Sequence, residues 1–157
     1  EIILRPYQFC NLSEVVARAG DTEQSLATKV GLATILGTFQ STLTDFKYLR
    51  KVWQKNTEEE RLLGVSLTGI MDNAMLSGNS ATLGMNIGAT LDLLREVAVQ
   101  TNKGMAKKLG IPQSTAITCV KPSGTVSQLV DSASGIHASH SDYYVRTVRG
   151  DNKDPLT

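Results

Sequence analysis

Cysteine and histidine occur twice each in 157 residues, tryptophan once, and aromatic side chains together make up 5%. Two cysteines, Cys10 and Cys119, cannot build the disulfide framework of a small secreted domain, and such sparing use fits a reducing, cytoplasmic compartment. Two histidines, His137 and His140, with no evident third ligand do not make a zinc pattern. No apolar run approaches the roughly 20 residues of a membrane helix, and no signal-peptide pattern opens the sequence. Charge of one sign is not in excess either. At a net +1 nothing draws the chain to nucleic acid or to an anionic membrane. Internal repeats are absent. What is present is 41% hydrophobic and 20% charged residues, enough for one α/β domain with a real core.

Residues 9–18 read as a strand with a partly buried face, broken at Gly20-Asp21. Asp21 and Gln24 resemble a capping box opening a helix that runs to about Leu43. Leu26, Val30, Ala33 and Gly37 form its stripe, and Leu32, Ile35, Leu36 and Phe39 widen it into an arc that suits a helix packed between other elements. From Lys47 to Arg61 the sequence turns charged and predicts two short helical or irregular pieces. Thr57 is a candidate N-cap there, and Glu58-Glu59-Glu60 a solvated first turn. Residues 62–71 predict an interior parallel strand, and residues 77–88 an irregular, glycine-rich connection. The clearest helix spans 89 to about 109, with Leu91, Leu94, Val97, Ala98, Thr101, Met105 and Leu109 on one side, Gly110 as its C-terminal cap and Pro112 beyond. A strand over 115–120, a short helix through Gln128, Leu129 and Val130, a Ser/Gly/His loop over 131–142 and an alternating strand over 143–149 complete the reading. Strands separated by helices, with connections too long for hairpins, predict parallel pairing with helices outside.

The best local pattern for a ligand is the turn Lys121-Pro122-Ser123-Gly124-Thr125-Val126-Ser127 between strand and helix. Glycine admits close backbone approach, the hydroxyls add donors, and the amides of a helix start carry positive partial charge, which together suit phosphate. The same residues also suit an ordinary strand-to-helix turn with a capping serine, and the spacing is not that of a Walker motif. Cys10 by itself reads as a core cysteine or a redox thiol, and Cys119 as core. His137 and His140 read as loop histidines that hydrogen-bond or pack. Arg146 and Arg149 fall on opposite sides of their expected strand, so one of them can face an anion.

Four segments, in order, resemble ribonucleotide reductase large chains. They are Glu1-Ile2 followed by Cys10-Asn11-Leu12-Ser13-Glu14-Val15, then Gly64-Val65-Ser66-Leu67-Thr68-Gly69, the Lys121-to-Ser127 turn, and Ser134-Gly135-Ile136-His137. The likeness covers essentially the whole chain. The wording at Cys10 to Val15 and the ending from Tyr143 to Thr157 resemble the adenosylcobalamin-dependent (class II) ribonucleoside-triphosphate reductase type. The resemblance implies a fold: about the C-terminal half of a ten-stranded α/β barrel, with parallel strands and outer helices.

It also implies roles. Glu1 would exchange a proton with the ribose 3′-hydroxyl while a cysteine thiyl radical abstracts the 3′ hydrogen. Cys10 would be one thiol of the pair that reduces the 2′ carbon. Pro122, Ser123, Gly124, Thr125, Val126 and Ser127 would cradle the substrate phosphates. The implied cofactor is adenosylcobalamin, with most of its site outside this sequence. The implied partners are a ribonucleoside triphosphate, a thioredoxin-like or dithiol reductant and the remainder of the reductase chain, with neither nucleic acid nor membrane. The thiyl cysteine is expected two residues before Glu1 and the partner thiol of Cys10 on an earlier strand, and Cys119 does not match that partner. By itself the chain is therefore expected to be inactive, with open strand edges and exposed apolar faces. A stand-alone phosphate-binding α/β domain, or a class I reductase fragment served by a di-iron partner, are the alternatives.

Overall fold

The computed structural model describes residues 2–78, 86–145 and 147–155. Two strands, β1 (Asn11–Val16) and β2 (Leu63–Thr68), pair in parallel, with Leu12 opposite Gly64 and Val16 opposite Thr68. The crossover between them carries α1 (Glu23–Gln40) and α2 (Lys51–Glu60). After β2 come a 3-10 turn (Ile70–Asp72), the long helix α3 (Ile87–Leu109) and the short helix α4 (Gly124–Leu129). The chain is thus α/β with parallel pairing, as the alternation of elements predicts.

The core lies on one face of the sheet. Val15, Leu63 and Val65 meet Leu26, Val30 and Ala33 of α1 and Leu94 and Ala98 of α3. Gly37 lets α1 approach β2 closely, since a Cβ there would already touch the Leu63 side chain at 3.5 Å. A buried polar knot locks the two helices to the segment after α3. Asn102 Nδ2 donates to Thr38 Oγ1 and to Ser114 Oγ, while Asn102 Oδ1 accepts from Ser114 N–H, each at 3.0 Å. Asn102→Ala strands the Ser114 amide in the interior, where one unsatisfied group costs about 1–3 kcal/mol. Urea unfolding is expected to show a lower midpoint at unchanged slope.

Several boundaries differ from the sequence reading. The capping box of α1 is Thr22 with Ser25, one residue later than expected: Ser25 N–H donates to Thr22 Oγ1 and Thr22 N–H to Ser25 Oγ. Asp21 is committed elsewhere, accepting from Arg18 N–H and pairing with Lys29 at 2.5 Å. Desolvation of the Asp21 carboxyl is outweighed by its bonds to Lys29, Arg18 and Ser25, so its pKa lies below the ordinary value. α1 ends at Gln40. Leu32 and Leu36 on its outer arc are 58% and 67% exposed, so only the inner stripe finds partners here.

Residues 51–60 form one helix, with Thr57 buried inside it and the glutamate triplet in its last turn. α3 begins two residues earlier than expected, capped by Asn86, and buries Thr90, Leu94, Ala98, Asn102 and Ala106 in place of the wider leucine stripe. Leu91 is 42% exposed. Gly110 does cap α3 in the left-handed region, at φ 67°.

The segment over 115–120 reaches β2 but forms a bridge, Val65 with Thr118, in place of a ladder. Leu63 and Val65 donate to the adjacent carbonyls of Ala116 and Ile117, which breaks the two-residue repeat a strand needs. The strand expected over 143–149 is absent among the described residues. Tyr143 and Val145 are almost fully exposed there, and no neighbouring strand meets them. Arg146 and most of the expected 77–88 connection lie outside the described residues.

Candidate functional site

Side chains alternate along a strand, so if Asn11, Ser13 and Val15 face the helices, Leu12 and Glu14 face away from them. Cys10, just before β1, continues that second face, and Gly64 lies opposite Leu12 in the register. Cys119 N–H donates to Val65 C=O from the other side of β2. A Cβ built on Gly64 would strike Leu12 Cδ2 and sit 3.2 Å from both Cys10 Sγ and Cys119 Sγ. The two sulfurs are therefore no further apart than twice that distance, above a residue that has no side chain to separate them. Cys119, read as core from sequence, thus looks onto the same face as Cys10.

No disulfide joins them. Their backbones flank β2 on opposite sides, two strand spacings apart, about 10 Å. That exceeds the Cα separation of about 7 Å that a disulfide spans. Cys10 is half-buried. Desolvation first, and the nearby Cys119 second, push its thiol from 9.0 to about 11. A cavity of about 120 Å³ opens beside it, lined by Ile2, Leu4, Cys10, Leu12, Cys119 and Lys121. Glu1 lies outside the described residues.

The turn after Lys121 divides into buried anchors and an exposed tip. Ser123 is 1% exposed and its hydroxyl donates to Glu14 Oε2 at 2.8 Å. Ser127 is fully buried, its hydroxyl donating to Gly124 C=O at 2.8 Å and its amide to Ser123 C=O at 3.0 Å. Pro122, Gly124, Thr125 and Val126 are exposed. The first amides of α4, on Gly124, Thr125 and Val126, have no intrahelical acceptor, as in any first helical turn. What the turn presents outward is therefore three amides and the Thr125 hydroxyl.

Glu14 is the residue that sequence reasoning missed. Its carboxylate joins the Cys10 strand to this turn across 109 residues of sequence, and its other oxygen, Oε1, is enclosed without a donor among the described residues. The available signal was the alternation Cys10, Leu12, Glu14, which puts a charge on the thiol's face. His137 and His140 behave as loop histidines: His137 bonds Ser134 C=O, and the His140 ring lies 5.2 Å from Tyr144. Among the described residues no cluster of three or more potential ligands could hold a metal ion, and no helix is long and apolar enough to cross a membrane.

The chain is 28% identical over 181 aligned positions to the adenosylcobalamin-dependent ribonucleoside-triphosphate reductase of Lactobacillus acidophilus. It is 27% identical over 177 positions to that of Levilactobacillus brevis. Both alignments take in 99% of this chain and 23% of the relative. The protein of the same name from Lactobacillus delbrueckii subsp. bulgaricus is 29% identical over 132 positions, covering 71% of this chain and 17% of the relative. The chain spans about a fifth of the length of these curated relatives. No family model and no solved structure matches it. These relatives bear out the family likeness carried by the four ordered segments.

Proposed function

We propose that this chain, homologous to a segment of the adenosylcobalamin-dependent ribonucleoside-triphosphate reductases, serves such a reductase as part of its catalytic barrel. It would contribute one redox thiol, a proton-handling carboxylate and the phosphate cradle for the substrate, within about the C-terminal half of a ten-stranded α/β barrel. The observation that carries this reading is the bond from Ser123 to Glu14. It ties the phosphate turn to the face that Cys10 occupies. Cys10 precedes Glu14 by four residues, about 13 Å of extended chain, a span over which a nucleotide can stretch between its ribose and its terminal phosphates.

On this reading the outward amides of Gly124, Thr125 and Val126 and the Thr125 hydroxyl bind phosphate oxygens, with Ser123 and Ser127 holding the turn in shape. Cys10 acts with a partner thiol on a strand outside this sequence. The two thiols give up two electrons and two protons, the 2′-hydroxyl leaves as water, a hydrogen takes its place, and a sulfur–sulfur bond forms. A dithiol or thioredoxin-like reductant then reopens that bond by exchange. Glu1 takes and returns the 3′-hydroxyl proton.

Adenosylcobalamin, when bound, supplies the radical that starts the reaction. The described residues do not fit it. The apolar cavity beside β2, about 440 Å³, is at the small end of ordinary ligand sites, and Tyr143, Val145 and Val148 run exposed without enclosing anything.

The test is reduction of a ribonucleoside triphosphate by the full-length polypeptide with a dithiol present. Deoxynucleotide is expected with adenosylcobalamin and none without it. Dependence on a metal-bearing partner subunit instead would favour the class I reading. Nucleotide binding with no reduction under either condition would favour a stand-alone phosphate-binding domain.

A further inference from the structure

We propose that α2 is a clamp that fixes the arm leading into Cys10, with Trp53 as its central positioning residue. Among the described residues the extensive contacts between elements join β1, β2, α1 and α3, and α2 has no such contact with any of them. Beyond bonds to Thr44 and Thr115, what α2 holds is the irregular segment over residues 5–9. Trp53 lies between two rings of that segment, edge-on to Tyr7 at 5.7 Å and tilted against Phe9 at 4.7 Å, while Arg50 caps the Tyr7 ring at 4.4 Å. Between the rings, Gln8 is buried and donates to Glu60 Oε2 at 2.6 Å. Asn56 Nδ2 donates to Pro6 C=O at 3.0 Å. Arg5 pairs with Glu59 at 2.6 Å and with Glu60 at 3.2 Å.

Two further features fit a clamp. Three successive glutamates in the last turn of a helix oppose its dipole, and Arg5 supplies a cation to two of them, Glu59 and Glu60. Tyr7 sits at φ 61°, a left-handed conformation that aromatic residues seldom hold unless their surroundings impose it. Three residues before Cys10, that setting decides where the chain enters β1. With Trp53 gone, Tyr7 can relax to negative φ and carry the thiol out of its half-buried position.

The functional meaning of the clamp rests on the reading of Cys10 as a redox thiol, but its test reads the position of the sulfur directly. In the full-length polypeptide, iodoacetamide labelling of Cys10 and Cys119 is followed peptide by peptide by mass spectrometry. Trp53→Ala is expected to speed labelling of Cys10 about tenfold, the effect of opening one aromatic anchor, with Cys119 changed less than twofold. Trp53→Phe is expected to restore the slow rate, and Gln8→Ala to raise it in the same selective way. An unchanged Cys10 rate overturns the proposal. Equal acceleration at both cysteines in both alanine variants overturns it too, because α2 is then merely structural. The redox reading fails separately, if Cys10→Ser keeps its turnover.

Discussion

Cys10→Ser in the full-length polypeptide is expected to lose multiple turnover with a dithiol reductant, by about a thousandfold or more, while nucleotide affinity stays within about twofold. On the proposed redox role, the serine hydroxyl cannot form the sulfur–sulfur bond that takes up the electron deficit, and reduction of the 2′ carbon would not complete. Affinity is expected to be spared because Cys10 lies about four residues of strand away from the proposed phosphate turn, which keeps its own anchors in Glu14 and Gly124. Unchanged turnover would remove the redox role.

The pH dependence has a definite sign. Burial and the neighbouring Cys119 raise the Cys10 thiol from 9.0 to about 11, so the fold favours the neutral form. Its contribution to stability is complete below pH 9 and is lost as pH rises toward 11. In the same window its alkylation rate is expected to climb about tenfold per pH unit, because only the thiolate attacks.

How much of this was legible in the sequence depends on the range of the interactions. The parallel pair, the Leu26–Val30–Ala33 stripe and the Gly110 cap all follow from local periodicity or local backbone demands, and each is present. The inner and outer halves of the α1 arc were not separable, since Leu26 and Leu36 have the same chemistry and only a partner distinguishes them. The glutamate triplet looked like a first turn because acids suit the helix start. Arg5, 54 residues earlier, reverses that preference. The expected strand over 143–149 has the right alternation, but a strand also needs a neighbour to bond. Glu14, left unassigned by the sequence, and Cys119, read there as core, take their surroundings from Ser123 and Gly64, brought to them by the fold.

Gly124→Val is the sharpest test of the cradle. A Cβ on Gly124 meets nothing within 4 Å, and its φ is not among the left-handed ones, so the folded chain accepts a larger residue there. Valine at this first helical position replaces the residue type with nearly the lowest helix propensity, so stability should shift by less than about 1 kcal/mol. On the cradle reading the new methyls would crowd the space in front of the α4 amides, where a phosphate oxygen would sit. Nucleoside triphosphate affinity is therefore expected to fall about a hundredfold, the loss of two to three charge-assisted hydrogen bonds in part. Gly124→Ala should fall between. The melting temperature and the Cys10 labelling rate are expected to stay as in the parent, which separates a blocked site from a damaged fold. The loss should also shrink as phosphates are removed from the ligand, since a nucleoside has nothing to place against those amides. An unaltered triphosphate affinity would leave Ser123 and its neighbours as an ordinary strand-to-helix turn. The bond from Ser123 to Glu14 would then have only a structural role.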